Sequence, residues 1–284
     1  MRALLLVLAV GASAGLVFGS FRDFGCEALA DRGHLGFDRN DYPGDPNLKR
    51  LRRTFSYSGY WLNNPPGAST NSWTGRRKAL EDAGFGFLVV FNGRTDADIK
   101  SGGDAPKLGS SDAASAVAAA HKEGFPLQTV IFLDQEEGGR LLPEQRSYVH
   151  AWVDGVNSRN FSAGVYCSGI ASQEASGATV VTANDIRQNI GARRLKYWVV
   201  NDACPPSPGC DLTRRNILPA SSGISFADVW QFAQSPRRPA FASGCAAYNQ
   251  DGNCYLLGLD PAQPVHVDLD IATSTDPSGG RTPH

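Results

Sequence analysis

The chain has 284 residues, a formal net charge of −1 at pH 7 and 42% hydrophobic residues. The near-neutral charge and the absence of a basic tract interleaved with aromatic residues argue against a nucleic-acid partner. The length is close to that of one α/β barrel and large for most other single-domain folds.

The first 19 residues predict a secretory signal peptide. A single arginine precedes an apolar run that soon reaches glycine and serine, and this run is too short for a membrane-spanning helix. Neither a twin arginine nor a lipid-accepting cysteine stands at the junction. We therefore expect a secreted, periplasmic or cell-envelope protein that is monomeric and has no membrane span after signal removal.

The six cysteines are interpreted as disulfides before catalysis or metal binding, because the chain is expected to be exported. Two pairs bracket short loops, one rich in proline and the other containing glycine and asparagine. The third pair follows by elimination, although six cysteines allow other connectivities. The predicted pairs are Cys204–Cys210, Cys245–Cys254 and Cys26–Cys167.

Strand and helix patterns alternate through the first half of the chain. HLGFDRN at 34–40 predicts a first strand, and FSYSGYW at 55–61 predicts a second strand. GFLVVFNG at 86–93 is apolar on both faces, as in a strand that is buried on both sides. The predicted helices of this half cover residues 45–51, 73–83 and 110–120.

The segment VIFLDQEEGG at 130–139 predicts a fourth strand that ends in carboxylates and two glycines. Asp134 and Glu136 are two residues apart, so on a strand they share a face with Cα atoms about 6.5 Å apart, while Glu137 points the other way. Acid-catalysed glycoside cleavage uses a carboxylate pair at this kind of separation, with one member in a drier environment.

The second half continues the alternation. Pro143 begins a helix with one apolar stripe, and Thr182 begins another that ends before Gly191. Together with the first four strands, the strands of this half bring the total to eight. The predicted strands are AGVYCSG at 163–169, LKYWVVND at 195–202, ADVWQFA at 227–233 and VHVDLDIA at 265–272.

The last predicted strand has one apolar and one polar face. Its apolar residues alternate with His266, Asp268 and Asp270, so the second face is either solvated or functional. Two aspartates deep in a dry barrel interior would be costly without partners. We therefore expect the polar face to lie near an open mouth of the fold.

Alternating strands and helices imply parallel strands joined by right-handed crossovers. Eight such strands predict an α/β fold of the TIM type, a (β/α)8 barrel over residues 34–272, and an open doubly wound sheet is the alternative. No Gly-rich phosphate loop follows the first strand, which disfavours a nucleotide-binding version. Residues 20–33 are expected to form a lead-in, and residues 273–284 a flexible tail in place of a full last helix.

Active sites of such barrels lie at the carboxyl ends of the strands. Asp38, Asp134, Glu136 and Asp270 are predicted at or near these ends. The histidines lack the paired spacing of a zinc site, and no G-x-S-x-G motif indicates a serine nucleophile. We therefore predict carboxylate chemistry without a metal or another cofactor.

Aromatic residues at the strand ends are candidates for sugar contacts, because flat rings stack on sugar faces and their polar atoms bond hydroxyl groups. Core packing is the alternative for each of them. Tyr166 is a candidate to bond a catalytic carboxylate, with a structural role as the alternative. The other candidates are Tyr60, Trp61, Trp198 and Trp230.

Six motifs occur in order along the predicted strands: GFD, FLDQE, GVYCS, YWVVN, VWQFA and VDLD. The chain resembles the glycoside hydrolase family 25 lysozymes and, more specifically, a related glycoside-hydrolase-like domain of unknown function from secreted bacterial proteins. The likeness covers nearly the whole mature chain. It implies an eight-stranded barrel that cleaves the β-1,4 bond after N-acetylmuramic acid.

The resemblance also implies roles for individual residues. Glu136 looks like the general acid, and Asp134 like the carboxylate that stabilises an oxocarbenium-like state or assists the acetamido group of the substrate. Asp38 and Asp270 look like supporting acids, and Asp268 is expected to contact substrate. The continuation RNDYPG after the first strand and the ending GYWLNNPPG of the second are closer to the uncharacterised relatives than to the lysozymes.

We therefore expect an exported glycoside hydrolase that acts on peptidoglycan or a related amino-sugar polymer by carboxylate acid catalysis. A non-catalytic glycan-binding protein on the same barrel is the alternative, and a structural envelope protein is a third hypothesis. Replacement of Glu136 distinguishes the first two, because it abolishes turnover only in an enzyme.

Overall fold

The fold is defined by a computed structural model that describes residues 33–213, 216–241, 244–245, 247–255 and 264–283. The predicted signal peptide and most of the lead-in lie outside these residues. Short 3₁₀ turns occur at Pro219–Ser222 and Pro239–Phe241. The other elements, in chain order, are β1 His34–Asp38, α1 Asp45–Leu51, β2 Tyr57–Trp61, α2 Arg77–Asp82, β3 Gly86–Asn92, α3 Asp96–Gly102, α4 Ala105–Glu123, β4 Val130–Asp134, α5 Pro143–Asn157, β5 Ser162–Ser168, β6 Ala171–Gln173, β7 Thr179–Val181, α6 Thr182–Asn189, β8 Lys196–Val200, β9 Val229–Ala233 and β10 Asp268–Ala272.

Eight strands form a closed barrel in the order β1-β10-β9-β8-β5-β4-β3-β2, while β6 and β7 form a separate hairpin that the sequence did not predict. The predicted TIM-type barrel is confirmed, with fewer helices than a full (β/α)8 fold. In the described part of the chain, no α-helix stands between β8 and β9 or between β9 and β10. Within that part, no helix has the length and apolar character that a membrane crossing needs.

The direction of β10 differs from the prediction. The other neighbouring strands of the barrel run parallel, but β10 pairs antiparallel with both β1 and β9. The chain reaches β10 from the mouth of the barrel, because no described crossover helix returns it to the opposite end after β9. As a result, Asp268 at the start of β10 pairs with Asp38 at the mouth, and Asp270 lies two residues deeper, opposite Gly36.

The barrel interior is filled by large side chains that face small ones. A Cβ atom on Gly36 would lie 2.0 Å from the ring of Tyr57, and one on Gly164 would lie 2.5 Å from the ring of Phe132. Both rings are buried. Glycine at these two positions therefore lets aromatic rings cross the interior and close it below the mouth.

Helices α4 and α5 form most of the outer layer beside β3, β4 and β5. The predicted apolar stripe of α5 is buried in this layer, and it includes Trp152 and Val153. The Tyr148 hydroxyl donates to Asp112 of α4 at 2.9 Å, and Arg94 binds the same carboxylate through two nitrogens at 2.6 and 2.8 Å. This ion pair attaches the loop after β3 to the helical layer.

Residues 273–283 pack against the amino ends of β3 and β4. The Ser278 N–H donates to the Phe87 carbonyl at 2.9 Å, and the Ser278 carbonyl accepts from the Val130 N–H at 2.8 Å. The Asp276 carboxylate accepts from the Phe87 N–H at 2.8 Å. The tail, which was predicted to be flexible, is therefore hydrogen-bonded to the barrel. The first residues of β3 come before its first pairing with β4, so their backbone groups bond the tail instead.

Two disulfides join the loop after β8 to the loop after β9. They are Cys204–Cys245, with Cα atoms 5.2 Å apart, and Cys210–Cys254, with Cα atoms 5.5 Å apart. The predicted local pairs Cys204–Cys210 and Cys245–Cys254 are wrong. Strands β8 and β9 are parallel neighbours, so both loops leave the same end of the barrel and lie against each other.

The third predicted disulfide is also not formed. Cys167 is a free thiol in the buried part of β5, and burial raises its pKa to about 12. Its intended partner, Cys26, lies outside the described residues. Cys167 is therefore a small core residue, not a reactive one.

Candidate active site

A pocket of about 340 Å³ opens at the carboxyl ends of the parallel strands. This is the end of the barrel where the predicted carboxylates were expected. Its walls combine acidic, amide and aromatic side chains. They are Asp38, Asn40, Trp61, Val90, Asp134, Glu136, Tyr166, Trp198, Gln231, Gln234 and Asp268.

Asp134 and Glu136 lie together in this pocket, although β4 ends at Asp134 and Glu136 belongs to the following loop. Asp134 is only 5% exposed, and neither of its carboxylate oxygens has a hydrogen-bond partner. Burial raises its pKa well above the usual value, and the charges of Glu136 and Asp38 add to this shift. Glu136 is exposed, and partial burial of its carboxyl group raises its pKa as well. The two carboxyl groups therefore retain protons to higher pH than ordinary ones.

The neighbours of Glu136 in the chain are held in place. The Gln135 backbone N–H donates to the Tyr166 carbonyl at 3.0 Å, and Gln135 is buried. The Glu137 carboxylate accepts from the Asp96 N–H at 2.9 Å and from the Gln145 amide. Glu137 thus has a structural role, and its anchoring leaves the Glu136 side chain directed at the pocket.

Asp38 and Asp270 form a second carboxyl pair, in which each group shifts the pKa of the other. Burial raises the pKa of Asp38 to about 6, against the effect of its hydrogen bonds. Asp270 is completely buried beneath the pocket, and burial followed by the charge of Asp38 raises its pKa well above the usual value. Asp270 therefore keeps its proton to higher pH than an ordinary aspartate. The Trp198 indole N–H donates to Asp270 at 2.9 Å.

Asp268 lies at the rim beside Asp38. Its carboxylate accepts from the backbone N–H of Ser235 at 2.6 Å. Burial raises the pKa of Asp268, and the charge of Asp38 raises it further. The antiparallel β10 thus contributes one acid to the pocket and one acid below it.

Gln231 connects Tyr166 to Asp38 across the pocket. The Tyr166 hydroxyl donates to Gln231 Oε1 at 2.8 Å, and Gln231 Nε2 donates to Asp38 Oδ1 at 2.9 Å. The expected direct bond from Tyr166 to a catalytic carboxylate is therefore replaced by a bond through an amide. Gln231, Asn40 and Gln234 line the pocket but were not predicted from the sequence. The alternation in VWQFA nevertheless places Gln231 on the face opposite Trp230.

The predicted aromatic contacts divide into two groups. Trp61 and Trp198 line the pocket, and Trp198 is only 2% exposed because its ring packs against Tyr166 at 4.7 Å. Tyr60 and Trp230 point to the opposite faces of their strands. The Tyr60 hydroxyl bonds Glu123, and the Trp230 indole bonds the Asn201 carbonyl at 2.9 Å. These two residues are core residues and do not line the pocket, contrary to the prediction.

A groove of about 590 Å³ adjoins the pocket and shares Asp134 and Glu136 with it. Its other walls are the loop after β2 at Pro66 and Gly67 and the loop after β3. Arg94 is the cation among its described lining residues, and this guanidinium is already paired with Asp112. The two carboxyl groups therefore stand between a compact pocket and an adjoining groove.

The closed barrel and its acidic mouth define a glycoside hydrolase-like barrel, and the sequence comparison agrees. Residues 58–205 match the family described as Rv2525c-like, glycoside hydrolase-like domain. The chain belongs to this family. No curated protein is significantly similar to the chain in sequence.

Solved structures share the fold at low sequence identity. An uncharacterized protein from B. stearothermophilus is 18% identical, with a TM-score of 0.56 over 84% of this chain and 96% of that one. The Tat-secreted protein Rv2525c of Mycobacterium tuberculosis is 12% identical, with a TM-score of 0.48 over 88% of this chain and 98% of that one. A bacterial lysozyme from Streptomyces coelicolor is 13% identical, with a TM-score of 0.45 over 84% of this chain and 91% of that one. At these identities the likeness concerns the fold alone.

Proposed function

We propose that the protein is a glycoside hydrolase that cleaves β-1,4 bonds of peptidoglycan or a related amino-sugar polymer. The observation that carries the proposal is the pair of Asp134 and Glu136, one buried and one exposed, at the junction of the pocket and the groove. Membership in a glycoside hydrolase-like family supports the reaction class. The resemblance to family 25 lysozymes supports the choice of polymer.

Glu136 acts as the general acid in this proposal. Its exposed carboxyl group can reach the glycosidic oxygen, and its raised pKa keeps a proton available. Proton transfer from Glu136 to the leaving oxygen breaks its bond to the anomeric carbon. Water then adds to that carbon, and the proton that it gives up restores the acid form of Glu136. General acid catalysis of this kind contributes roughly 10²- to 10⁴-fold to the rate.

Asp134 in its ionised form stabilises the positive charge that develops on the sugar, and that charge in turn favours ionisation of the carboxyl group. It lies at the end of β4 in a dry environment, where an electrostatic interaction is stronger than in water. Its oxygens have no hydrogen-bond partner among the described residues, so they are available to the substrate. Asp38 and Asp270 act as supporting acids, and Asp268, Trp61, Tyr166 and Trp198 contact the bound sugar.

We also propose that the protein is exported and acts in the cell envelope or outside the cell. The two disulfides between the mouth loops support an oxidising compartment, because structural disulfides are rare in the cytosol. The predicted signal peptide at residues 1–19 supports the same location.

The test is release of reducing ends from purified peptidoglycan. We expect the wild-type protein to release them and the Glu136→Gln variant to lose at least about 100-fold of the rate, since the amide cannot supply the proton. The matched control is Glu144→Gln, which makes the same chemical change at an exposed position in the first turn of α5. Thermal unfolding of the three proteins checks that the fold is retained.

Equal rates for the wild type and Glu136→Gln would remove Glu136 from the catalytic role. Absence of release by the wild type, on peptidoglycans of several compositions and on chitin oligomers, would overturn the hydrolase proposal. In that case binding of the same glycans without turnover would support the glycan-binding alternative.

A further inference from the structure

The pocket contains more acidic groups than the hydrolytic reaction needs. Asp38, Asp134, Glu136 and Asp268 line it, and Asp270 lies directly beneath Asp38. The eleven side chains that line the pocket include no lysine, arginine or histidine. Burial and mutual charge raise the pKa values of these carboxyl groups, and a bound positive charge would favour their ionised forms, whereas a sugar with only hydroxyl and acetamido groups would not.

The nearby cations do not neutralise the pocket. Arg39 is close enough for its charge to act on Asp268, but it does not line the pocket, and Asp41 acts on the same guanidinium. Arg94, in the adjoining groove, is engaged by Asp112 at 2.6 and 2.8 Å. Arg238 is likewise paired with Asp202. Among the described residues, no cationic side chain lines the pocket itself, so a ligand could bring a positive charge directly against its acids.

Asp134 indicates where that charge would be bound. Both carboxylate oxygens are buried without a hydrogen-bond partner, and they border the pocket and the groove alike. Leaving a buried charged group without partners is costly, whereas a ligand that supplies N–H donors and a positive charge would relieve this cost. The two unpartnered oxygens of Asp134 therefore favour a ligand that carries both a positive charge and N–H donors.

The arrangement favours an organic cation over a metal ion. Among the residues that the structure describes, no three His, Cys, Asp or Glu side chains converge as metal ligands. The acids are instead spread around a pocket with the aromatic rings of Trp61, Trp198 and Tyr166. Aromatic rings attract ammonium groups, and the amides of Gln234 and Asn40 suit sugar hydroxyls.

We propose that the pocket selects an amino sugar whose nitrogen is unacetylated, so that its ammonium group binds between Asp134 and the other acids of the pocket. This inference rests on the proposed function and narrows its substrate to a polymer that is at least partly N-deacetylated. It also assigns Asp134 to charge stabilisation, because a free amine has no acetyl oxygen to take part in the reaction. An ammonium group offers three N–H donors and a full charge, whereas an acetamide offers one donor and no charge.

Binding measurements on the inactive Glu136→Gln variant test the inference without turnover. Isothermal titration calorimetry at neutral pH, above the pKa of about 6 of Asp38 and where the sugar amine is still largely protonated, compares β-1,4-linked oligomers of glucosamine and of N-acetylglucosamine of equal length. We expect the glucosamine oligomer to bind about 10- to 100-fold more tightly, as one charged hydrogen-bonded contact of about 1.5–3 kcal/mol implies.

Two further substitutions in the same background locate the preference. Asp134→Asn removes the charge without breaking any hydrogen bond, and Asp268→Asn keeps an oxygen that can accept from Ser235. We expect Asp134→Asn to abolish most of the preference and Asp268→Asn to reduce it. Glu144→Gln, outside the pocket, is expected to leave it unchanged.

Equal affinities, a preference for the acetylated oligomer, or no binding of either oligomer would overturn the inference. A preference that survives both aspartate substitutions would overturn it too. These results are distinct from failure of the hydrolase proposal, which is measured by release of reducing ends from the wild-type protein. A protein that hydrolyses fully acetylated peptidoglycan and shows no preference retains the proposed function and loses only this inference.

Discussion

Asp38 and Asp270 show how two identical side chains acquire different states in one site. They lie on neighbouring strands, each shifts the pKa of the other, and both are buried. Asp38 also accepts from Gln231 and lines the pocket, whereas Asp270 has one oxygen without a partner and lies beneath it. The deeper group is therefore the acid that holds the proton, and Asp38 is the member that changes charge first as the pH rises.

The pH dependence of stability follows from this pair. The pKa of Asp38 rises from 3.8 to about 6 on folding, so the folded chain binds more protons than the unfolded chain between these values. The free energy of unfolding should therefore fall as the pH rises through this interval, by at most about 3 kcal/mol. In Asp38→Asn we expect a smaller fall, measured by chemical denaturation on both sides of the interval.

The control for this prediction is Asp41→Asn, an exposed carboxylate three residues further along the chain. Groups with lowered pKa values, such as Asp98, contribute a slope of the opposite sign in every variant. The difference between each variant and the wild type therefore reports the substituted group together with the carboxyl groups whose pKa values its charge raises. Identical pH slopes for the wild type and Asp38→Asn would contradict the assignment.

The direction of one element, β10, decides the depth of two acids. An antiparallel β10 begins at the mouth, so Asp268 reaches the pocket and Asp270 lies below it. A parallel β10 would have placed Asp270 nearer to the mouth than Asp268. The composition of the pocket thus depends on the route by which the chain enters its last strand.

The tail after β10 is an element of the barrel, and Asp276 is its main anchor. Its carboxylate accepts from the backbone N–H groups of Phe87 at 2.8 Å, Gly280 at 3.1 Å and Arg281 at 3.0 Å. Asp276→Ala leaves these donors without that partner, and we expect a loss of about 2 kcal/mol in the free energy of unfolding.

Chemical denaturation of Asp276→Ala, with Thr273→Ala as the control at an exposed position of the same segment, measures this loss. The site lies at the opposite end of the barrel from the pocket, so glycan binding at a temperature where the variant is folded should be unchanged. A variant as stable as the wild type would show that the tail does not support the barrel.

At the scale of the whole molecule, two disulfides join the loops after β8 and β9, where the described residues contain no α-helix. They close segments of 41 and 44 residues between the mouth loops. In the chain-entropy description, each loop closure of this size destabilises the unfolded chain by about 4 kcal/mol, because it lowers the conformational entropy of that chain. Reduction should therefore lower the melting temperature strongly, because domain stability is only about 5–15 kcal/mol in total.

Thermal unfolding with and without a thiol reductant measures this effect. A variant in which all four bridged cysteines are replaced by serine should melt at the same temperature in both conditions. Cys167 remains in that variant, so it also shows that the free core thiol takes no part in the response. No change in the melting temperature of the reduced wild type would contradict a stabilising role for the bridges.

The sequence by itself determined the features that depend on local periodicity. Alternation along single strands identified the barrel strands and the polar face of β10, and it placed Asp134 and Glu136 on the same side. Side chains two residues apart share a face of any extended segment, so no partner strand is needed for this inference. The same rule places Gln231 on the face opposite Trp230, but the pattern of aromatic residues favoured Trp230 as the candidate for a sugar contact.

Only the tertiary structure decided the features that depend on distant partners. Tyr60 and Trp61 are adjacent and both aromatic, and packing of α4 against β2 and β3 determined that Tyr60 faces outwards and Trp61 inwards. The disulfide partners, the direction of β10 and the docking of the tail each join segments that are far apart in the chain. Local propensity carries no information on which strand or loop becomes the neighbour, because that choice is made by burial and hydrogen bonding of the complete fold.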